Sequence, residues 1–332
     1  MSEPSALHDS LSDTERPIAI IGAGSIGLGF AIVFAQAGYT VRVQDPDPQR
    51  RNEAGTVIRA RLETLEENAL IDEAPVAIAA RISFSADLES VLERAFHVQE
   101  CAPENLALKQ DIYARLDALA PPDAVLASSS SAIAASRYTS ELVGRGRCLV
   151  CHPANPPYLL RILEIVPTPF TSPEVTDRTQ AFMTSCGFAP VVVQKEIEGF
   201  ALNRLQGAVL REAYCLVRDG ILSVDEVDSL VRDGLGLRWS FMGPFETTDL
   251  NTRGGIRSHA QKMGASYARM GAERGQHDPW TPDLVAKVEA ERRALVPLDQ
   301  WESANAWRDA RLMALLRHQR EMKRLDDKYG RT

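Results

Sequence analysis

A histidine and a glutamate lie on either side of a proline-rich turn, and their side chains are of the types that transfer protons. His152 begins the run His152-Pro153-Ala154-Asn155-Pro156-Pro157, and Glu164 lies inside the apolar stretch 162–166. Histidine changes charge near neutral pH, and a carboxylate bonded to one ring nitrogen fixes the tautomer and raises the basicity of the other. The two adjacent prolines restrict the backbone between them. The pair indicates acid–base chemistry, although a buried histidine beside a surface glutamate would fit the same residues.

The composition is that of an ordinary globular protein with room for two domains. A chain of 332 residues with 45% hydrophobic and 25% charged positions can bury a substantial core. A net charge of -8 gives no electrostatic basis for binding nucleic acid or an anionic membrane. Five scattered cysteines suggest reduced thiols and a cytoplasmic location. The polar residues 1–15 resemble a disordered lead-in more than an export signal.

A glycine-rich turn follows the first apolar run. Residues 18–38 carry no charge over a length that could span a membrane, but their crowded glycines favour a strand over 17–21, a turn and a helix to about residue 37. No membrane span is therefore predicted. The turn has the form G-x-G-x-x-G, and its predicted cofactor-binding residues are Gly22, Gly24, Ser25, Ile26 and Gly27. Gly22 permits the turn, Gly24 lets the backbone approach a pyrophosphate, and Gly27 allows close packing of a helix whose N-terminus supplies amide donors.

An acidic residue ends the next predicted strand. Asp45 follows the strand predicted over 40–44, at the distance of about twenty residues where a carboxylate meets the adenosine ribose of a dinucleotide. It would accept hydrogen bonds from the ribose hydroxyls and repel a 2′-phosphate, so the predicted cofactor is NAD rather than NADP. Arg50 and Arg51 argue mildly against this, but their place on the following helix favours solvated side chains.

Short strands and helical segments alternate through the first half of the chain. Beyond the first two, strands are predicted over 81–84, 95–101, 124–128, 148–152 and 190–194. This alternation is typical of parallel βαβ units wound on both faces of one sheet, a Rossmann-type doubly wound α/β fold. Ligands bind such sheets at the carboxyl ends of the strands, so the loops after Cys101, Ser128 and His152 are the expected binding loops.

After residue 199 the pattern changes to helices alone. Residues 200–218 have helical apolar spacing, Ser223-Val224-Asp225-Glu226 has the form of a capping box, and 301–329 has the pattern of a charged amphipathic helix. The predicted domains are an NAD-binding domain over 16–195, a linker over 196–199 and an all-α C-terminal substrate and dimerisation domain over 200–332. We expect the binding site in a cleft between the domains and a homodimer through the helix over 200–218.

Several motifs occur in the order and spacing of a known family. They are the glycine turn, Glu104 with Lys109, Ser128-Ser129-Ser130-Ser131, His152, Glu164, Gly199-Phe200-Ala201-Leu202-Asn203-Arg204 and Gly243-Pro244-Phe245-Glu246. With them the chain resembles the L-3-hydroxyacyl-CoA dehydrogenase superfamily from residue 17 to about residue 320. The run that begins at His152 and the run Gly234-Leu235-Gly236-Leu237-Arg238 resemble its lambda-crystallin or L-gulonate 3-dehydrogenase branch.

The resemblance implies catalytic roles for four residues. His152 would be the general base that takes the proton from a substrate 3-hydroxyl while hydride leaves the same carbon for NAD. Glu164 would orient the imidazole and stabilise its charged form. Ser131 and Asn203 would hold the reacting oxygen and stabilise the charge that develops on it.

The resemblance also implies contacts with the cofactor and the substrate. Glu104 and Lys109 would contact the nicotinamide end of NAD, and Asn155 would help to line the same region. For Glu104 and Lys109, exposed charges at the beginning of a helix are the alternative that the sequence leaves open.

Two features favour a small carboxylate substrate over a thioester. One segment would form the CoA-binding arm, and its second half is acidic because it contains Glu63, Glu66, Glu67, Asp72 and Glu73. These carboxylates would repel the 3′-phosphate of the CoA nucleotide. Arg238 lies just before Met242-Gly243-Pro244, and its guanidinium suits a carboxylate, although a surface salt bridge is an equal alternative. The predicted function is NAD-dependent oxidation of a small 3-hydroxy acid such as L-gulonate.

Other functions remain open at this point. With the same catalytic residues, the substrate could be a short-chain acyl-CoA thioester or carnitine. The chain could also be a non-catalytic, crystallin-like NAD-binding protein. The run Cys148-Leu149-Val150-Cys151-His152 has the form of a haem attachment site, but in a strand the two sulfurs point to opposite faces. No second Cys or His cluster supplies zinc ligands, so no metal is predicted.

Overall fold

The computed structural model describes residues 15–68, 70–275 and 281–301, with separate positions between 303 and 324. The chain divides into two compact units, Met1–Val209 and Leu210–Thr332. The division falls inside the helix Leu202–Arg218, beyond the linker predicted over 196–199. The lead-in predicted over 1–15 lies outside the described residues except for Glu15.

One sheet organises the described part of the first unit. Its strands are β1 Ile18–Ile21, β2 Val41–Gln44, β3 Ile82–Ser85, β4 His97–Glu100, β5 Val125–Ser128, β6 Cys148–Pro153, β7 Ile162–Pro167 and β8 Ala189–Val192. Their order is β3-β2-β1-β4-β5-β6-β7-β8. Strands β1 to β6 are parallel, β7 is antiparallel to β6, and β8 is parallel to β7. This mostly parallel sheet confirms the predicted doubly wound α/β class.

Helices flank the sheet. They are α1 Ser25–Gln36, α2 Pro48–Glu67, α3 Pro75–Ala79, α4 Leu88–Leu92, α5 Leu106–Leu119, α6 Ser136–Thr139, α7 Pro173–Ser185 and α8 Leu202–Arg218. Helix α1 is buried from Gly27 to Ala35, because every side chain in that stretch is apolar or absent. The uncharged segment 18–38 is thus an internal strand, turn and helix, as its glycines predicted.

The core forms two hydrophobic clusters on opposite faces of the sheet. In β1, Ile18 and Ile20 belong to one cluster, and Ala19 and Ile21 belong to the other, as the alternation of side chains along a strand requires. Cys151 and Cys148 are divided in the same way between the two clusters. The two sulfurs therefore point to opposite faces, which confirms the argument against a haem attachment site.

Strand β7 is absent from the strands that the sequence analysis predicts. Only residues 154–161 separate it from β6, which is too few for a crossover helix, and a parallel return needs a dozen residues or more. The chain therefore turns back and pairs antiparallel. In this register His152 lies opposite Glu164, so the return places the predicted acid–base pair side by side.

The second unit is helical in the residues that are described. Beyond α8 it contains α9 Val224–Ser229, a π-helical segment Leu230–Leu235, α10 Gly236–Trp239, α11 Pro244–Asn251, α12 Gly255–Glu273 and α13 Pro282–Leu295. The predicted capping box is present, because the Ser223 and Glu226 side chains each accept the other residue's backbone N–H. Most of the helix predicted over 301–329 lies outside the described residues.

Among the helices of the described chain, none combines the length and the apolar character that crossing a membrane requires.

A buried ion pair lies beneath the carboxyl ends of β4 and β5. The Lys109 ammonium donates to the two carboxylate oxygens of Glu100 at 3.0 and 2.8 Å, and both residues have 0% exposed surface. The Ser128 hydroxyl and the Ala102 N–H also donate to this carboxylate. Lys109 has no exposed surface with which to contact a cofactor, so the predicted nicotinamide contact gives way to a structural role. The lysine ties α5 to the ends of two strands.

Replacing the lysine should destabilise the protein. We expect Lys109→Met to lower the free energy of unfolding by about 3–5 kcal/mol, because the Glu100 carboxylate would stay buried without its counter-charge. Urea denaturation of purified protein measures the change. The double variant Glu100→Gln with Lys109→Met, which removes both charges, should recover much of the loss. A single-variant loss below about 1 kcal/mol, the range of an exposed pair, would contradict the assignment.

Candidate functional site

The glycine turn between β1 and α1 leaves a space that suits a pyrophosphate. Gly22 has a φ of 107°, and a Cβ built on it would lie 2.9 Å from the Cys101 carbonyl oxygen. A Cβ on Gly27 would lie 2.0 Å from the Gly22 carbonyl oxygen, so this position must be glycine for α1 to pack against the turn. A Cβ on Gly24, in contrast, meets no atom within 4 Å. The open space beside Gly24, at the N-terminus of a helix that begins at Ser25, fits the phosphates of a dinucleotide.

The Asp45 carboxylate lies beside this turn. One carboxylate oxygen accepts the Ala23 N–H at 2.8 Å, and the other accepts the Asp47 N–H at 2.9 Å. The side chain is almost fully buried, and Arg50 approaches it to 3.9 Å. Arg51 donates to the Asp45 carbonyl oxygen. The carboxylate is thus held at the predicted place, and the ribose contact stays a prediction. The Arg50 side chain is 56% exposed, as expected of a solvated arginine, whereas Arg51 contacts the backbone of Asp45.

The antiparallel return brings the acid–base pair into direct contact. The Nδ1 atom of His152 lies 2.8 Å from a carboxylate oxygen of Glu164, and both side chains are buried, with 6% and 5% exposed. Because a carboxylate can only accept, Nδ1 carries the proton in this pair. The Nε2 atom of the neutral ring is then left with a lone pair, as a general base requires.

The Glu164 carboxylate is also held by the beginning of α8. Its second oxygen accepts the N–H groups of Ala201 and Leu202 at 2.7 and 2.9 Å. Burial works to raise the pKa of Glu164, but hydrogen bonds from His152, Leu202 and Ala201 outweigh it, so the pKa lies below its usual value. Glu164 therefore stays ionised and can stabilise a charged imidazole. Glu164 is recognisable in the sequence, but no sequence pattern indicates these helix contacts.

Phe200 shapes this region in a way that the motif alone did not indicate. Gly199 and Phe200 both have positive φ, 72° and 50°, and they turn the chain immediately before α8. The Phe200 ring is fully buried and lies with its centroid 5.5 Å from that of the His152 ring. The left-handed backbone, which is uncommon for a bulky residue, thus directs the first amides of α8 towards Glu164.

Ser131 and Asn203 lie together at the other side of the site. The Asn203 side-chain amide donates to the Ser131 carbonyl oxygen at 2.7 Å. Glu104 holds the serine loop in place, because its carboxylate accepts the Ser130 hydroxyl and the N–H groups of Ala132 and Ile133. Burial opposes ionisation of Glu104, but these hydrogen bonds dominate and lower its pKa. Glu104 therefore shapes the loop, and the predicted cofactor contact of this residue stays a prediction.

A cavity of about 600 Å³ connects these groups. Its lining includes the predicted residues His152, Ser131, Asn203, Asn155 and Ile26. Ile26 comes from the glycine turn, so the base and the predicted cofactor turn open to one space. The cavity is also lined by Ser129, Leu160, Leu202 and Gln206. Ser129 is visible in the sequence only as one member of the serine run and Leu202 only as one member of the run 199–204, and no motif indicates Leu160 or Gln206.

Arg238 belongs to the second unit. It is half-buried on the short helix α10 of the second unit, and its predicted contact with a substrate carboxylate stays a prediction. Within the residues that the structure describes, no group of three or more His, Cys, Asp or Glu side chains is placed to hold a metal ion.

Comparison with known proteins matches the chain to both domains of one protein family. Residues 17–197 match the NAD-binding domain of 3-hydroxyacyl-CoA dehydrogenase, and residues 199–296 match its C-terminal domain. Together with the sheet and the glycine turn, the match defines an NAD-dependent dehydrogenase. The chain belongs to the 3-hydroxyacyl-CoA dehydrogenase family.

Individual relatives refine this placement. The lambda-crystallin homolog of Bos taurus is 39% identical over 308 residues, which cover 91% of this chain and 96% of that protein. The L-carnitine dehydrogenase of Pseudomonas putida is 36% identical, with 82% of this chain and 83% of that protein covered. The solved structure of 5-formyl-3-hydroxy-2-methylpyridine 4-carboxylic acid 5-dehydrogenase, an NAD-dependent dismutase, is 25% identical, has a TM-score of 0.69 and covers 89% of this chain and 98% of its own. Within the family, the similarity is to the lambda-crystallin branch.

Two glycine variants should distinguish the glycine that the fold of the turn requires from the glycine that leaves space for the cofactor. We expect Gly27→Ala to lower the free energy of unfolding by about 1–3 kcal/mol, because its Cβ overlaps backbone that cannot move away. Gly24→Ala should leave stability nearly unchanged and weaken NAD binding, because its Cβ occupies only the open space. Thermal melts and calorimetric titration of NAD measure the two effects. Equal NAD affinity for Gly24→Ala and the unaltered protein would contradict the assignment of this space.

Proposed function

We propose that the chain oxidises the 3-hydroxyl of a small 3-hydroxy acid, such as L-gulonate, to the 3-oxo acid with NAD. The observation that carries the proposal is the His152–Glu164 contact of 2.8 Å at the wall of a cavity that also holds Ser131 and Asn203. A neutral imidazole, an ionised partner and two polar groups for an oxygen form the constellation that alcohol oxidation needs.

The residues of the chain account for the proton and the oxygen. Nε2 of His152 takes the hydroxyl proton, and Glu164 stabilises the imidazolium that results. Bound NAD supplies the acceptor for the hydride that leaves the same carbon. The Ser131 hydroxyl and the Asn203 amide stabilise the negative charge that develops on the substrate oxygen. Burial of His152 and Glu164 keeps water from competing for the hydrogen bond between them, which strengthens that bond.

Several observations support a small polar substrate. The cavity wall carries the side chains of Asn155 and Gln206 besides the catalytic groups, and these suit hydroxyl groups. At the C-terminal end of α2, Glu63, Glu66 and Glu67 are exposed, which disfavours an anionic CoA nucleotide nearby. Glu73 contributes less to this field, because it pairs with Arg81. Arg238 is the residue to which we assign the substrate carboxylate.

L-Carnitine is the second candidate substrate. It is itself a small 3-hydroxy acid, and the similarity to the L-carnitine dehydrogenase of Pseudomonas putida favours it. The name of the pyridine carboxylic acid dehydrogenase likewise describes a small carboxylate substrate. A short-chain acyl-CoA substrate is the remaining enzymatic alternative. A structural, crystallin-like role without turnover is the non-enzymatic alternative.

We also propose a cytoplasmic homodimer. Leu205, Leu210 and Tyr214 are exposed on α8, at 63%, 46% and 75%, and large apolar side chains on one helix favour burial against a second copy. All five cysteines are free thiols, which suits a reducing compartment.

Loss of the base should strongly reduce turnover and leave cofactor binding intact. We expect His152→Ala to reduce kcat by a factor on the order of 100 or more, because it removes the proton acceptor. Glu164→Gln should also reduce kcat, since it removes the charge that stabilises imidazolium. NADH absorbance measures turnover, and calorimetry should give an NAD Kd close to that of the unaltered protein. Glu67→Gln, an exposed carboxylate on α2, serves as the control, and full activity of His152→Ala would eliminate His152 as the base.

Relative substrate efficiencies should identify the substrate class. We expect kcat/KM from NADH absorbance to be higher for L-gulonate than for L-carnitine, L-3-hydroxybutyrate or its CoA thioester. Arg238→Ala should raise KM for the free acids more than for the thioester, because only the free acids carry the carboxylate that Arg238 would bind. A preference for the thioester would overturn the small-acid proposal, and absence of turnover on all four would favour the structural alternative.

A further inference from the structure

Two polar side chains lie side by side in the hydrophobic core beneath the cavity, and the proton transfer described above uses neither. His97 and Gln99 are on the same face of β4, with 1% and 0% of their surface exposed. The His97 ring is surrounded by Phe34, Phe96 and Phe182, whose ring centroids lie 4.8–6.4 Å from its own. Polar groups in such surroundings cost stability unless they are hydrogen-bonded. Their hydrogen bonds lead towards the cavity.

The hydrogen bonds of this pair have a defined direction. Burial lowers the pKa of His97 to about 4, more than its hydrogen bond to Gln99 raises it, so the ring is neutral at pH 7 and has one N–H. The amide nitrogen of Gln99 lies 3.5 Å from the Cys151 carbonyl oxygen, a group that can only accept, which orients the amide. The amide oxygen of Gln99 then faces His97 Nε2 at 3.1 Å, so His97 donates to Gln99.

The next group in this direction is Ser129, which is half-buried and lines the cavity. The amide nitrogen of Gln99 donates to its hydroxyl oxygen at 2.8 Å. Cys101 Sγ lies 3.1 Å from the same oxygen, and its thiol also donates to the Gln99 carbonyl oxygen at 3.8 Å. Burial raises the pKa of that thiol to about 12, so it keeps its proton. A serine hydroxyl has two acceptor positions and one donor. Because the Gln99 amide donates to this oxygen, the Ser129 O–H remains available to donate to a ligand in the cavity that Ser129 lines.

We propose that His97 and Gln99 hold the Ser129 hydroxyl as a hydrogen-bond donor to the carboxamide oxygen of the NAD nicotinamide. This assignment rests on the proposed function only in placing the nicotinamide in the cavity that contains His152. Ser129 follows β5, which lies in the sheet between β1, where the glycine turn begins, and β6, which carries His152. A donor at this place fixes how the ring is turned, and Gln99 acts through it as a positioning residue.

Two probes isolate the nicotinamide from the rest of the cofactor. NAD has the carboxamide, and ADP-ribose lacks the nicotinamide but keeps the adenosine and the phosphates. We expect Ser129→Ala to weaken NAD binding about three- to tenfold in calorimetric titrations, the effect of one lost hydrogen bond, and to leave the Kd for ADP-ribose unchanged. Equal weakening of both probes, or of neither, would overturn the proposal.

A double-mutant cycle tests the role of Gln99. Gln99→Met keeps a side chain of similar length without the amide, and it should weaken NAD binding in the same sense as Ser129→Ala. If Gln99 acts through Ser129, the double variant should bind NAD no more weakly than Ser129→Ala alone. Additive losses would overturn the positioning role. Thermal melts confirm folding of each variant, and if Gln99→Met does not fold, Ser129→Ala with the two probes still decides whether Ser129 holds the carboxamide.

These measurements need no substrate. They therefore separate failure of this assignment from failure of the proposed 3-hydroxy acid specificity, which the turnover measurements address.

Discussion

The contact between His152 and Glu164 is the interaction on which the site depends. It exists because β6 and β7 pair antiparallel with these two residues in register, and a shift by one residue would turn one side chain to the opposite face of the sheet. The same carboxylate accepts the first amides of α8, so a single ionised group fixes the tautomer of the base and the position at which the helix begins. The charge of Glu164, the register of β6 with β7 and the start of α8 therefore depend on one another through this buried carboxylate.

The sequence predicted the parts of this arrangement that depend on local rules. The G-x-G-x-x-G turn, the carboxylate at Asp45 and the capping box at Ser223 follow from backbone geometry and short-range hydrogen bonds, and the structure has all three at the expected residues. The resemblance to a family added Ser131 and Asn203, which no periodicity identifies. The structure brings both to the cavity wall beside His152.

Long-range packing decided what the sequence could not predict. The direction of β7 depends on how few residues separate it from β6, and its apolar composition would suit either direction. The family resemblance implies a cofactor contact for Lys109, yet burial beside Glu100 makes this lysine an internal counter-charge. His97 and Gln99 look like ordinary strand residues, and only the pairing of β4 with β5 shows that Gln99 reaches the serine loop. Ionisation and hydrogen-bond direction at these positions are properties of the folded surroundings.

The distribution of the cysteines has a practical consequence. Burial raises the thiol pKa of Cys101, Cys148, Cys151 and Cys186, which leaves almost no reactive thiolate at neutral pH. Cys215 lies on α8 and, like Cys101, is partly exposed. A maleimide or a spin label should therefore spare these four thiols in the native chain, and its attachment to Cys215 would report whether a second copy covers α8.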